Sequence, residues 1–282
     1  MNRNLVFYVI TLVLLVAMSA CSCSGGDESE GDVTIATDSV VQTGSFKKSN
    51  GELCDMKVTL VVSYPQAYKD SLTHAKLMDL FCSEILKAPK GTTDIKSAMK
   101  AYAQSLVSQN TPSTEGESQV VSDSLNIDVD EIDIDRFEPR IVIKAVYNDN
   151  GLITFCREEA INKNGQTASM SHHYMSFDLE QMKRVTLSDM FRDDCLDKLT
   201  AQLKEKLMDD KGASTEDELN DLGYFNLPNL SVTSNFFFTS KGVTWSYDSS
   251  VIAVASVGEP TINIDYDDLE QFFCDDSVLK RM

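Results

Sequence analysis

The sequence predicts an α+β fold, two small units of mainly antiparallel strands packed with helices. Three observations carry that prediction. Runs rich in Val, Ile, Thr, Tyr and Phe end at Gly, Pro or Asn-Gly steps, the signature of strands joined by tight turns. Between them, three segments space their apolar residues three or four apart, as one buried helix face requires. Strands linked by two-residue turns run antiparallel, because a parallel pair needs a longer crossover. The 282 residues suffice for two small cores, and 42% hydrophobic with 24% charged residues is ordinary for a globular chain.

Residues 1–20 read as a signal peptide of lipoprotein type. Arg3 supplies a positive start, and Leu5 to Met18 form an apolar run of about 14 residues, short of the roughly 20 that span a bilayer. Met18-Ser19-Ala20-Cys21 resembles a bacterial lipobox: a bulky apolar residue, two small ones, then the cysteine that takes the lipid. Cys21 is the expected lipidation site. Cys23 fits less well, because Ala20-Cys21-Ser22 has no bulky apolar residue at its head. Several acyl chains on one cysteine make membrane anchoring stable. Residues 21–50 then hold the lipidated cysteine and a flexible tether, since "SGGDESEGD" has no apolar period. An acidic stretch just after the lipid cysteine resembles the surface-export signals of Bacteroidetes lipoproteins. The implied place is the cell envelope, as an outer-membrane lipoprotein with a surface-exposed body.

The first unit is expected at residues 51–160. Met56 to Tyr64 is β-branched and stops at Pro65, a strand signal. Leu77, Phe81 and Ile85 lie four apart in an amphipathic helix that ends before Pro89, with His74 on its surface. Ile95, Met99, Tyr102 and Leu106 repeat the pattern, with Thr93 or Asp94 as N-cap. Asp128, Asp130, Asp133 and Asp135 alternate with apolar residues, but no glycine and no glutamate follow in calcium-loop register, so a strand with an acidic face is expected. Asn150-Gly151 and Asn164-Gly165 supply the positive-φ residues of tight turns between the next strands.

The second unit is expected at residues 161–282. "HHYMSFDL" reads as a strand, and Leu196, Leu199, Leu203 and Leu207 share a helix face. The polar stretch from Met208 to Asp221 holds at most a short helix. "SNFFFTS", "VTWSY" and "PTINIDY" read as strands, and "DDLEQFF" as a closing helix.

The net charge of −19 repels nucleic-acid phosphates and excludes a nucleic-acid partner, while leaving room for a cationic one. Cys54, Cys82, Cys156, Cys195 and Cys274 are scattered, without a C-x-x-C pair or a histidine at ligand spacing, so no metal or cofactor is expected. His172 and His173 are adjacent in a strand and point to opposite faces, so they cannot share one metal or one proton. No G-x-S-x-G turn orients a nucleophilic serine, and catalytic residues are not expected.

Two stretches carry a family resemblance. "YMSFDLEQMKRVTLSDMF", Tyr174 to Phe191, and "FFFTSKGVTWSYDSSVIAVASVGEPTINIDYDDL", Phe236 to Leu269, resemble the DUF3298 (RsiV-like) C-terminal domain. "VTLVVSYP" and its following helix resemble the DUF4163 (PdaC-type) domain that usually precedes it. Two family elements are altered. Where a small-Ala-His-Pro/Gly element belongs, the chain has Gln166-Thr167-Ala168, and Tyr-Glu-Ile-Ala has become Ser250-Val251-Ile252-Ala253.

The resemblance implies a non-catalytic binding module, since the family includes a lysozyme-sensing anti-sigma factor whose extracytoplasmic domain binds the enzyme. No cytoplasmic segment precedes the signal run, so capture or inhibition of a basic lysozyme-type muramidase is expected rather than sensing. Tyr174, Phe177, Asp178, Trp245 and Tyr247 are the candidate binding residues. The alternative is a peptidoglycan- or glycan-binding accessory protein or an envelope enzyme. Phe236, Phe238, Trp245 and Tyr247 could stack on sugars in that case, although aromatics on such a hairpin belong more often to a core.

Overall fold

The computed structural model describes residues 32–47, 52–109 and 135–282. The signal run, Cys21 and the acidic repeat from Asp128 to Asp133 lie outside the described residues.

A six-stranded sheet forms in chain order from β1 (Thr34–Lys47), β2 (Leu53–Ala67), β3 (Arg136–Asp149), β4 (Leu152–Lys163), β5 (Gln166–Asp178) and β6 (Lys183–Arg184). The tether expected through residue 50 therefore gives way to strand at Thr34. Ala36, Val40 and Phe46 fall on one face, while Thr37, Ser39, Val41, Thr43 and Ser45 between them are exposed on the other, which gives the strand one face to bury. The β2–β3 pair is parallel and every other neighbouring pair is antiparallel, in keeping with the mainly antiparallel sheet expected. The long connection between β2 and β3 allows the parallel pair, and it holds the two helices that cover the sheet.

Those helices are α1 (Ser71–Ile85) and α2 (Ile95–Gln109). Asp70 caps α1 by accepting the N–H groups of Leu72 and Thr73. Asp94 plays the same part for α2, taking the Lys96 N–H and the Ser97 hydroxyl. Leu77, Phe81 and Ile85 meet Met56, Val58, Leu60, Val62, Ile141 and Phe155 in the first core, and the Phe81 ring stands edge-on to Phe155 at 4.9 Å. In β2 every second residue from Cys54 to Val62 is buried, so one register slip would turn that whole face to water.

Both Asn-Gly turns are present, with φ of 53° and 69° at Asn150-Gly151 and 51° and 81° at Asn164-Gly165. Residues 160 and 161 fall inside β4, and the sheet continues across them into β5 and β6.

A second core lies around a three-stranded sheet of β7 (Phe236–Phe238), β8 (Gly242–Ser246) and β9 (Thr261–Asp265). Helix α3 (Leu196–Lys211) buries Leu199, Leu203 and Leu207 there and stops at Gly212 in the left-handed conformation. The polar stretch after it holds only α4 (Glu216–Asp221), capped by Thr215. A four-residue helix, α5 (Tyr266–Leu269), follows β9 and buries Leu269. Gly242 is required for room rather than for φ: a Cβ there would stand 2.1 Å from the Ile264 carbonyl oxygen. The body from Gly31 to Met282 is one compact unit.

Candidate functional site

The histidines separate as strand geometry demands. His173 is exposed, while His172 is half-buried with Nδ1 2.8 Å from Glu259 Oε2. The other Glu259 oxygen accepts the His172 N–H at 3.1 Å. Asn235 adds a second clasp, taking the Tyr174 N–H at 2.8 Å and donating to the His172 carbonyl at 3.0 Å. These groups cap the outer edge of β5. His74 lies on α1, with Nε2 3.2 Å from the Pro65 carbonyl. Among the described residues no three His, Cys, Asp or Glu side chains are placed to hold a metal.

The predicted binding residues are not brought together as a ligand surface. Tyr174 is half-buried and stacks on Phe237, ring centroids 4.4 Å apart. Burial, with the Cys156 thiol beside it, pushes its hydroxyl up to about 12. Phe177 is core, edge-on to Phe155. Asp178 is fully buried and structural: it accepts the Glu180 and Gln181 N–H groups and pairs with Arg281 at 2.9 Å. Trp245 is fully buried in the second core. Its indole Nε1 has no hydrogen-bond partner among the described residues, and its ring lies 6.1 Å from Phe191. Tyr247 is buried too and donates to the Ser231 carbonyl at 3.0 Å. Phe236 and Phe238 are core, so none of these aromatics except Tyr174 presents a ring face to sugar. For Trp245 the physical reason is that every residue of β8 is buried, so both faces of that strand are covered; Phe177 and Asp178 lie at the buried end of β5.

What does face solvent was not legible in advance. The segment from Leu222 to Asn226 pairs with the segment from Val251 to Val254 through a bridge between Tyr224 and Ala253. Phe225 N–H donates to the Ile252 carbonyl at 2.9 Å, and Val254 N–H to the Gly223 carbonyl at 2.8 Å. Tyr224, Ile252 and Ala253 anchor the pair inward. Leu222, Phe225, Val251 and Val254 stay exposed, Leu222 at 51% and Val251 at 47%. Ahead of the first segment α4 exposes Asp217, Glu218 and Asp221, and ahead of the second Asp248 is exposed. The ledge includes Val251, in the stretch where the family's Tyr-Glu-Ile-Ala is altered.

The ledge, β7, β8, β9 and α3 all lie between Ser188 and Asp267, and this is the span that a family model recognises. Residues 188–267 match the model of DUF3298, a protein family of unknown function. The DUF3298 fold recurs in solved structures. A crystal structure of a DUF3298 family member from Bacteroides fragilis superposes with a TM-score of 0.63 at 18% identity, covering 89% of this chain and 98% of that one. A DUF3298 family protein from Pseudomonas aeruginosa gives 0.53 at 15% identity, covering 87% and 97%. These likenesses span the six-stranded sheet as well as the DUF3298 domain, and at such identity they establish fold alone. Comparison with curated proteins finds no match.

Proposed function

We propose that this is a lipid-anchored cell-envelope protein whose body is a non-catalytic binding module for a basic protein of lysozyme type. The observation that carries the reading is the ledge: four apolar side chains left in water on two paired loops, with exposed carboxylates in the chain just ahead of each loop. Exposed apolar groups in such a setting mark interaction sites, and acidic neighbours favour a cationic partner. A net charge of −19 would speed encounter with that partner. Anchoring through Cys21, an outer-membrane place and a DUF4163-type first unit belong to the same proposal and rest on the sequence.

The test is a titration of Asp32–Met282 with a panel of muramidases at low and raised salt. Submicromolar binding that survives salt, with the muramidase inhibited, is the expected result. Phe225→Ser should weaken it by about tenfold while leaving the thermal melt in place, as truncation of an exposed anchor does. Attraction weaker than about 1 μM that vanishes in salt would be charge alone and would reject the partner. Loss of radiolabelled palmitate in Cys21→Ala tests the anchor separately.

A further inference from the structure

The six-stranded sheet has two edges, and they are treated differently. At β5, Glu259 and Asn235 occupy the outward backbone groups of His172 and Tyr174. At β1, no described residue pairs with the outer edge. The hydrogen-bond phase shows which residues face it. Asp55 donates its N–H to the Asp135 carbonyl on the β3 side, at 3.0 Å, so it is turned away from β1. Its partner across the ladder is Ser45, whose N–H and C=O must then point outward. Register is unbroken from Ile35 to Lys47, so Thr43, Val41, Ser39 and Thr37 face the same way. Two local bonds agree: the Ser39 N–H turns to the Asp38 carboxylate at 2.7 Å, and the Thr43 carbonyl takes the Gln42 amide at 3.4 Å.

Edge strands are ordinarily kept apart by lysine, proline, bulges or short length. From Thr34 to Phe46 there is no Lys, Arg or Pro, Asp38 is the only charged residue, and the register shifts only at the Thr34/Ile35 step. Val41 lies at the middle, 51% exposed. In a chain of net charge −19, a stretch with one charge is where two copies meet with least repulsion. The strand is also complementary to itself. With Val41 opposite its own counterpart, Ser39 meets Thr43, Thr37 meets Ser45, and Asp38 meets Gly44, so no like charges oppose. We propose that the β1 edge is a homodimer interface, in which β1 pairs antiparallel with β1 of a second copy about Val41 and the two sheets become one. Such a contact is two-fold symmetric and closes on itself, which stops further growth along this edge.

Three variants test it. Outward-facing partners in an antiparallel pair have Cα atoms about 5.5 Å apart, within disulfide reach. In the full chain, in a Cys23→Ser, Cys274→Ser background, Val41→Cys should give a covalent dimer on mild oxidation. Thr37→Cys should not, because the two Thr37 positions would lie about 27 Å apart along the strands. Val41→Pro removes an N–H that only the second copy uses, and proline is tolerated at an edge facing outward. Sedimentation of the compact body Gly31–Met282 should show a dimer whose dissociation constant rises at least about tenfold in Val41→Pro, with the thermal melt unchanged. A wild-type body that stays monomeric at about 100 μM overturns the proposal, since no specific interface is that weak in a working dimer. So does a dimer untouched by Val41→Pro, or crosslinking through Thr37 instead of Val41.

Discussion

Replacing Arg281 with Ala should cost this protein about 2 kcal/mol, although the residue is one from the C-terminal end. Asp178 is fully buried at the end of β5, and its carboxylate is held by four N–H groups: those of Glu180 at 2.8 Å and Gln181 at 3.1 Å, and the Arg281 guanidinium at 2.9 and 3.3 Å. Removing one partner of a buried pair ordinarily costs about 3–5 kcal/mol, because the remaining charge is stranded. Two backbone donors survive here, and the Arg281 side chain is 24% exposed, so water can replace part of what is lost. That brings the figure to about 2 kcal/mol, or roughly 4–8 °C in melting temperature for a body of this size. Urea unfolding of Asp32–Met282 should show a lower midpoint with an unchanged slope. Glu180→Gln is the control: Glu180 also pairs with Arg281 but is 63% exposed, so it should cost under about 0.5 kcal/mol. If Arg281→Ala matches that control, the Asp178 carboxylate does not depend on the guanidinium, and the account of this latch fails.

Gly242→Ala should destabilise by about 2–4 kcal/mol, because the added methyl would meet the Ile264 backbone and part β8 from β9; a thermal melt decides it. The Lys144 hydrogen bond holds the Glu158 carboxyl below its ordinary range, so its stabilisation is present above about pH 4.3 and is lost as pH falls through the folded value. Glu158→Gln should therefore cost about 0.5–1 kcal/mol at pH 7 and converge with wild type by about pH 3, read from urea midpoints. Burial pushes the Cys82 thiol up to about 12 and Cys156 to about 11, so a thiol reagent at pH 8 should label half-exposed Cys274 in the folded body well before either. Equal rates in native buffer would show that those thiols are not packed as described.

The legible part of the fold was the part governed by local rules. Helix faces in α1, α2 and α3, the cap at Asp94, and the two Asn-Gly turns all follow from spacing and backbone preference over a few residues. Strand β1 was missed because its small polar residues resemble a tether until β2 supplies the partner that turns Val40 and Phe46 toward the core. Which pair would run parallel was not specified in sequence, because pairing direction is set by a connection and not by the strands themselves. The candidate site was less legible still. Asp178, Trp245 and Tyr247 stand out in sequence because unusual residues in a recurring pattern draw notice, yet a pattern can recur because packing demands it. The ledge joins Leu222 and Phe225 to Val251 and Val254 through one bridge, and nothing within either loop announces the other.

The clasp on β5 shows why the histidine pair belongs to the architecture. Edge strands leave every second N–H and C=O without a ladder partner, and β6 covers β5 only at Phe177 and Asp178. Upstream, Asn235 precedes β7 and Glu259 precedes β9, so both capping side chains come from the DUF3298 domain. Each does two things at once: it satisfies backbone that would otherwise be open, and it ties the domain to the sheet. His172 is the counterpart of a Glu259 carboxylate whose side chain is only 14% exposed, so its imidazole is part of the clasp. Among the described residues one edge is tied down by side chains from a distant part of the chain, while the other has only its own Asp38 and Gln42. Taken with the neutrality of β1, that difference is the reason to look for a second copy at the β1 edge and for a different partner at the acidic ledge.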